Sequence, residues 1–505
     1  MARFFVHILL TFLCLRRLYA DEAEKEHSTY IEDFSSLVST SMETLLQSVG
    51  LGESCPWNDN MMKSVAEVLP KNVRGQDEGV SSIVNAIAGW EMQKKSGQSR
   101  PLVMAITGST GVGKSETSHQ LADALLAKKV RVGNTRRYMP EGLLVLRGED
   151  YSPESSITLQ EAHQNIRSNL VSHLKKCGSR GVIVFDEVQK VMPGTLDVLM
   201  PAFEERGAII EYNDTTSGTG GFLETLTGRA GPEGAVRHST AECIFLFISD
   251  IGSARMIKLL LKHGDRASIP RAALRNEVKA ALDEQWERLI FGKVVNEVVP
   301  FLPMEQSHVQ EVLRVKLRRL DSFNKGKWWS ALVVDDSVVA HLAGPHYLKY
   351  VNFTSKAKIA PNTATTQRDL NVDGTSSSNN EDKSRVMASK VVAKYGARAL
   401  ENGGPLQDLR ALIFTTMQPW RPHQVLHVGL VDPSTHSFTA TQLKSVEEET
   451  GAIRTAEPGS RDKLYLQWCK LTASEKDLVD TSLSEGLAFS TKCETVYVGS
   501  LFDLA

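Results

Sequence analysis

The sequence is short of several things. No apolar run is long enough to cross a bilayer as a helix, which needs ~20 residues; the most apolar stretch, Phe4 to Leu15, falls well below that. No long basic run is present and the formal net charge is -2, so nothing points to a polyanion partner, and nucleic acid is not expected as a ligand. Internal repeats are absent. Cysteine is scarce, with six in 505 residues. What remains is 41% apolar and 23% charged, the balance of a mostly globular chain with room for two or three domains.

The amino terminus reads MARFFVHILLTFLCLRRLYADEAEKE. A basic start, a short apolar core and a small residue at Ala20 before an acidic segment are the layout of a secretory signal, residues 1 to 20. Arg16 and Arg17 sit awkwardly for cleavage, and an uncleaved, membrane-lying hairpin is the alternative. A mitochondrial transit peptide fits less well, because such peptides are amphipathic and this run is uniformly apolar. Without Cys14 the mature chain keeps five cysteines, an odd number that leaves at least one thiol free or paired between molecules. Asn213-Asp214-Thr215 and Asn352-Phe353-Thr354 are glycosylation sequons, meaningful only if the chain enters that compartment.

Residues 21 to 70 read as a mixed helical region. From 71 to 300 the pattern becomes strand, loop, helix, repeated. The runs PLVMAIT, GVIVFDE and ECIFLFISD are continuous and apolar, as for strands buried on both faces of a parallel sheet. This predicts an α/β domain with helices on both faces of the sheet. Residues 301 to 445 are mostly helical, beginning with the amphipathic PMEQSHVQEVLRVKLRRL and interrupted by a polar, aromatic-free insert at 355 to 385 that reads as disordered. From Val425 the apolar residues alternate, which predicts strands, and residues 446 to 505 form a carboxy-terminal extension.

The chemistry concentrates in two places. Gly108-Ser109-Thr110-Gly111-Val112-Gly113-Lys114-Ser115 is a phosphate loop, set between a strand and a helix as its mechanism requires. Its glycines let backbone N–H groups curl around phosphates, Lys114 reaches the β and γ phosphates, and the Ser115 hydroxyl suits magnesium. The run GVIVFDEVQK then ends at Asp186-Glu187, where Asp186 can hold magnesium through water and Glu187 can polarise the attacking water. ATP and Mg²⁺ are therefore the expected cofactors.

Five segments, VRGQDEGV, GSTGVGKS, IVFDEVQK, FISDIGS and YGARAL, follow one another in an order that resembles Clp/Hsp100-type AAA+ ATPases. With the secretory signal and VVPFLPMEQSHVQEVLRVKL, the chain looks like a torsin, the AAA+ family of the endoplasmic reticulum lumen and nuclear envelope. The resemblance implies that Val73, Gly75 and Gln76 line the adenine pocket and that Arg398 touches phosphate from the smaller domain. It implies a disulfide between Cys55 and Cys177. The torsin cysteine beside that arginine is missing from Gly396-Ala397-Arg398, so cysteine-linked nucleotide sensing is not expected.

Three departures matter. Where the family has an asparagine after serine, this chain has Ser249-Asp250, and an ionised acid there would repel the γ-phosphate. Asp250 turns away, or carries a raised pKa, or Ser249 takes the role, or hydrolysis is slow. Clp-type proteins carry an arginine finger at the position of Val294; here only Lys293 and Arg288 are near, and a lysine lacks the planar fork. Torsins also lack that arginine, which a membrane-anchored partner donates; such a finger is worth about 10³ to 10⁵ in turnover. Finally, the region of the Clp pore loop reads RGEDYSPESS, where Tyr151 has no flanking glycine and a plain surface loop is favoured over a pulling loop. The expected function is a torsin-like ATPase that remodels protein or membrane assemblies, as a homo-oligomer or with an arginine-donating partner. The alternatives are an ATP-sensing interaction protein that barely hydrolyses and a Clp-like organellar unfoldase.

Overall fold

The computed structural model describes residues 55–131, 138–204, 207–212, 235–286, 294–354, 389–431, 463–470, 493–499 and 501. The chain forms two units, Met1–Pro56 and Trp57–Ala505, and everything below concerns the second unless stated. The expected signal, the insert at 355 to 385, Asn213, Arg288 and Lys293 lie outside the described residues. No helix among the described residues is long and apolar enough to cross a membrane.

The centre of the molecule is a five-stranded sheet. Its strands are β1 (Leu102–Gly108), β2 (Leu143–Arg147), β3 (Arg180–Asp186), β4 (Glu242–Ser249) and β5 (Glu297–Phe301), in the order β2-β3-β4-β1-β5 and parallel throughout. The three apolar runs read from the sequence are β1, β3 and β4, and their residues are buried on both faces. Alternate residues serve opposite layers. Met104, Ile106, Val184 and Leu246 join the core under α1 (Met61–Asn72), α2 (Asp77–Lys95) and α3 (Lys114–Leu125). Ala105, Ile183, Phe245 and Phe247 face α4 (Leu159–Cys177), α5 (Ser253–His263) and α6 (Arg271–Gln285). The α/β class with helices on both faces is what the sequence predicts. Helix α4 begins where Thr158 and Glu161 form a reciprocal capping box.

The smaller part contributes α7 (Gln306–Asn324), α8 (Asp336–Leu342) and α9 (Pro405–Thr416). It also carries a two-stranded pair, β7 (Tyr350–Thr354) with β8 (Ser389–Ala393), and a four-stranded sheet, β6 (Trp329–Val334), β9 (Arg421–Leu430), β10 (Leu464–Cys469) and β11 (Cys493–Gly499), in that order. β6 and β9 are parallel and the other pairings antiparallel. Cys469 and Cys493 face each other across β10 and β11 and are joined by a disulfide. Cys55 and Cys177 are each disulfide-bonded, and Cys243 is a free, buried thiol. The odd cysteine expected from the sequence is thus Cys243.

Candidate nucleotide site

Parallel sheets bind ligands beyond the carboxyl ends of their strands, where the order switches. Here β1 lies between β4 and β5, and β1, β3 and β4 end at Gly108, Asp186 and Ser249. A cavity of about 450 Å³ opens at these ends, a size suited to a small-molecule ligand. The strand tips bring Thr110 to Ser115, Asp186, Glu187, Ser249 and Asp250 to its wall.

The phosphate loop leaves β1 and enters α3 through Gly111 (φ 79°) and Gly113 (φ 100°), left-handed positions that favour glycine. Gly111 is under a second constraint. An added Cβ would lie 1.9 Å from the carbonyl oxygen of Tyr395, and the N–H of Ala397 donates to the Gly111 carbonyl at 3.0 Å. The turn carrying Arg398 is therefore seated directly on the loop, across nearly 300 residues of sequence, and the exposed Arg398 reaches the cavity wall.

Lys114 donates to the carbonyls of Gly108 and Ser109 at 2.7 and 2.9 Å. Burial pushes its ammonium pKa down; the fields of Asp250, Asp186 and Glu187, in that order of strength, offset part of the shift. Asp250 is exposed, at the cavity wall, and supplies the largest negative field on Lys114. The Ser115 hydroxyl donates to Asp186 at 2.9 Å. These are two hard oxygen donors side by side at the end of a phosphate loop, a donor set suited to Mg²⁺.

Glu187 follows in left-handed backbone (φ 55°), uncommon for a non-glycine residue. Its carboxylate pairs with Lys190, which also pairs with Glu149 beyond β2. Those two hydrogen bonds raise the Lys190 pKa, and Lys190 holds the Glu149 carboxyl below its ordinary range. Ser249 is 2% exposed and Thr107, opposite it in the β1–β4 register, is 0% exposed; neither hydroxyl has a hydrogen-bond partner.

Val73 lines the cavity with Met304 and Val312, an apolar patch beside the polar Asn72 and Arg74. Gly75 and Gln76 are not on the wall. Buried Gln76 donates to the carbonyl of Leu302 at 2.9 Å and to that of Val112 at 3.5 Å, and accepts from the Leu302 N–H at 3.0 Å. It ties the segment after α1 to β5 and to the phosphate loop. Gly75 (φ 72°) passes its carbonyl to Arg266 at 2.7 Å. Tyr151 is 5% exposed and belongs to the core on the α4 face, so the surface loop expected there has its one aromatic turned inward. Asn352 is exposed on β7.

Sequence reasoning missed Arg74, Gln189, Lys316 and Glu401, all on the wall. Lys316 on α7 pairs with Glu401 at 2.9 Å, and Arg319 on the same helix pairs with Glu116 of α3 at 2.8 Å. Burial tends to raise the Glu116 pKa, but the hydrogen bond and charge of Arg319 outweigh it and the net shift is downward. Gln189 stands inside the IVFDEVQK run, yet nothing in the run marks it as a wall residue.

A family model for AAA domains of the dynein-related subfamily matches residues 104–228. The chain carries a AAA+ domain. A torsin-like protein of Drosophila melanogaster is 26% identical over 232 residues, 44% of this chain and 57% of that protein. A ClpB chaperone of Chlamydia caviae is 24% identical over 285 residues, 56% of this chain and 29% of that one. Among solved structures, a Saccharomyces cerevisiae Hsp104–ADP complex matches at 14% identity and a TM-score of 0.44, over 75% of this chain and 52% of that one. The AAA+ chain is thus related to torsins and to Clp-type chaperones, and it spans less than two-thirds of the length of these relatives.

Proposed function

We propose that this AAA+ protein binds Mg-ATP and hydrolyses it, slowly alone and faster when a membrane-anchored partner donates an arginine. The observation that carries the reading is the convergence of Lys114, the Ser115–Asp186 pair, Glu187 and Arg398 on one cavity. Lys114 exchanges two loop carbonyls for phosphate oxygens. Ser115 and Asp186 would hold magnesium, which supplies charge neutralisation at the phosphates. Glu187 orients and deprotonates the attacking water. Arg398 contacts phosphate from the turn seated on Gly111, so nucleotide state reaches α7 and α9 through one rigid contact. Val294, which stands where Clp-type proteins have their arginine, is the reason a partner is needed. The output is remodelling of protein or membrane assemblies.

The test is steady-state ATP hydrolysis by the purified protein beside Glu187→Gln, with nucleotide affinity measured in parallel. Binding with turnover near background is the expected result. Robust turnover by the protein alone sinks partner activation, and absence of nucleotide binding sinks the whole reading. A second reading, an ATP sensor that barely hydrolyses, is favoured by Asp250 at the wall; it predicts that no partner restores turnover.

We place the protein in the endoplasmic reticulum lumen or nuclear envelope. Four disulfide-bonded cysteines support an oxidising compartment, and the exposed Asn352 sequon is open to glycosylation there. A glycosidase-sensitive mass shift lost in Asn352→Gln checks this; a protein recovered unglycosylated from an organelle matrix overturns it.

A further inference from the structure

An attacking water is held best by a group that accepts from it while donating to the phosphate, which a neutral amide does and a carboxylate cannot. In this chain the tip of β4 offers Asp250, an exposed carboxylate on the same cavity wall as Lys114. Among the neutral polar side chains on the wall, Asn72 lies at the end of α1 beside Val73, Thr110 belongs to the phosphate loop, and Ser249 has only a short hydroxyl. Gln189 is different. It lines the cavity two residues after Glu187, and its amide oxygen is buried without a hydrogen-bond partner.

Native structures rarely orphan a buried amide, and one beside a substrate cavity points to a group that arrives with the substrate. The oxygen and nitrogen of a glutamine can be interchanged by a flip, so the unpartnered position can carry either an acceptor or a donor. The turn itself is fixed. Val188 is buried in the core on one side, and on the other Lys190 is held by Glu187 and Glu149 together. Gly148 packs so closely on the Glu187 carbonyl that an added Cβ would lie 2.2 Å from it.

Resting on the hydrolytic reading above, we propose that Gln189 is the catalytic amide of this site, orienting the attacking water beside Glu187 in place of the neutral group missing at Asp250. Glutamine orients the attacking water in Ras-type GTPases, so the side chain is chemically suited to the task.

The experiment uses the full chain with Gln189→Leu, Gln189→Glu, Asp250→Asn and the Gln189→Leu/Asp250→Asn pair. Three quantities are read: single-turnover hydrolysis, ATP affinity, and retention of ADP with aluminium fluoride, a mimic of the transition state that reports even when turnover is small. Gln189→Leu should lower turnover roughly 100-fold, weaken aluminium fluoride retention in step, and leave ATP affinity within about twofold. Adding Asp250→Asn should recover much of the loss, because an amide returns to the β4 tip. Turnover and retention within twofold of wild type in Gln189→Leu overturn the proposal, as does a loss that merely follows ATP affinity or melting temperature. If wild type retains neither ATP nor ADP–aluminium fluoride, the hydrolytic reading fails first and Gln189 falls with it.

Discussion

Lys114 shows what a phosphate loop costs before it has a phosphate. Its pKa is lowered by burial, so the folded state gives up the proton more readily than the unfolded chain. Stability from this residue therefore rises with pH in the window just below the ordinary lysine value, and at neutral pH the buried charge is a liability. Lys114→Met should melt at or above the wild-type temperature without nucleotide, yet lose the stabilisation that ATP confers, which for a ligand at 100 times its Kd is about 2.7 kcal/mol. Scanning calorimetry with and without Mg-ATP checks both halves. Lys114 and Asp186 were legible because their chemistry demands fixed neighbours in sequence. Gln189, Lys316 and Glu401 were not, because the direction in which each faces is set by packing between distant segments. Tyr151 shows the same limit from the other side: its sequence context reads as a loop, and only the core of the α4 layer reveals that it is buried.

At the scale of elements, the loop and the turn at 395 to 398 act as one piece. Gly111→Ala should lose nucleotide binding, because the Cβ meets backbone rather than a movable side chain and the φ of 79° is unfavourable. Isothermal titration with ATP reads this, and binding retained within threefold would show that the contact is dispensable. Helix α4 offers a control away from the site: Thr158→Ala removes a capping box and should cost about 1 kcal/mol in urea unfolding with turnover unchanged. The buried parallel strands could be read from the sequence since burial on both faces leaves continuous apolar runs. The second sheet could be only half read. Alternation marks β9 as a strand, but its parallel partner β6 lies about ninety residues earlier, and register between such distant strands leaves no local trace.

Over the whole molecule, the Cys469–Cys493 disulfide closes a loop of sequence separation 24. The chain-entropy model gives about 3.5 kcal/mol for a loop of that size, so Cys469→Ser/Cys493→Ser, which leaves the bonded Cys55 and Cys177 in place, should lower Tm measurably. A double variant melting at the wild-type temperature would show that the bridge adds nothing. The phosphate loop and the acidic strand end could be found from their motifs, whereas the cysteine pairing at the end of the chain could not, because spacing alone does not choose among five thiols.

The second sheet sets a rule for anyone shortening this protein. β9 is an interior strand, hydrogen-bonded to β6 on one side and β10 on the other, with Val425, Leu426 and Val428 fully buried. Ending the chain after Val431 would strip one side of that strand and turn its backbone into an adhesive rim that recruits other copies edge to edge. Such a truncated protein should come off a sizing column as aggregate even with its ATP site untouched, and the failure would say nothing about the engine upstream.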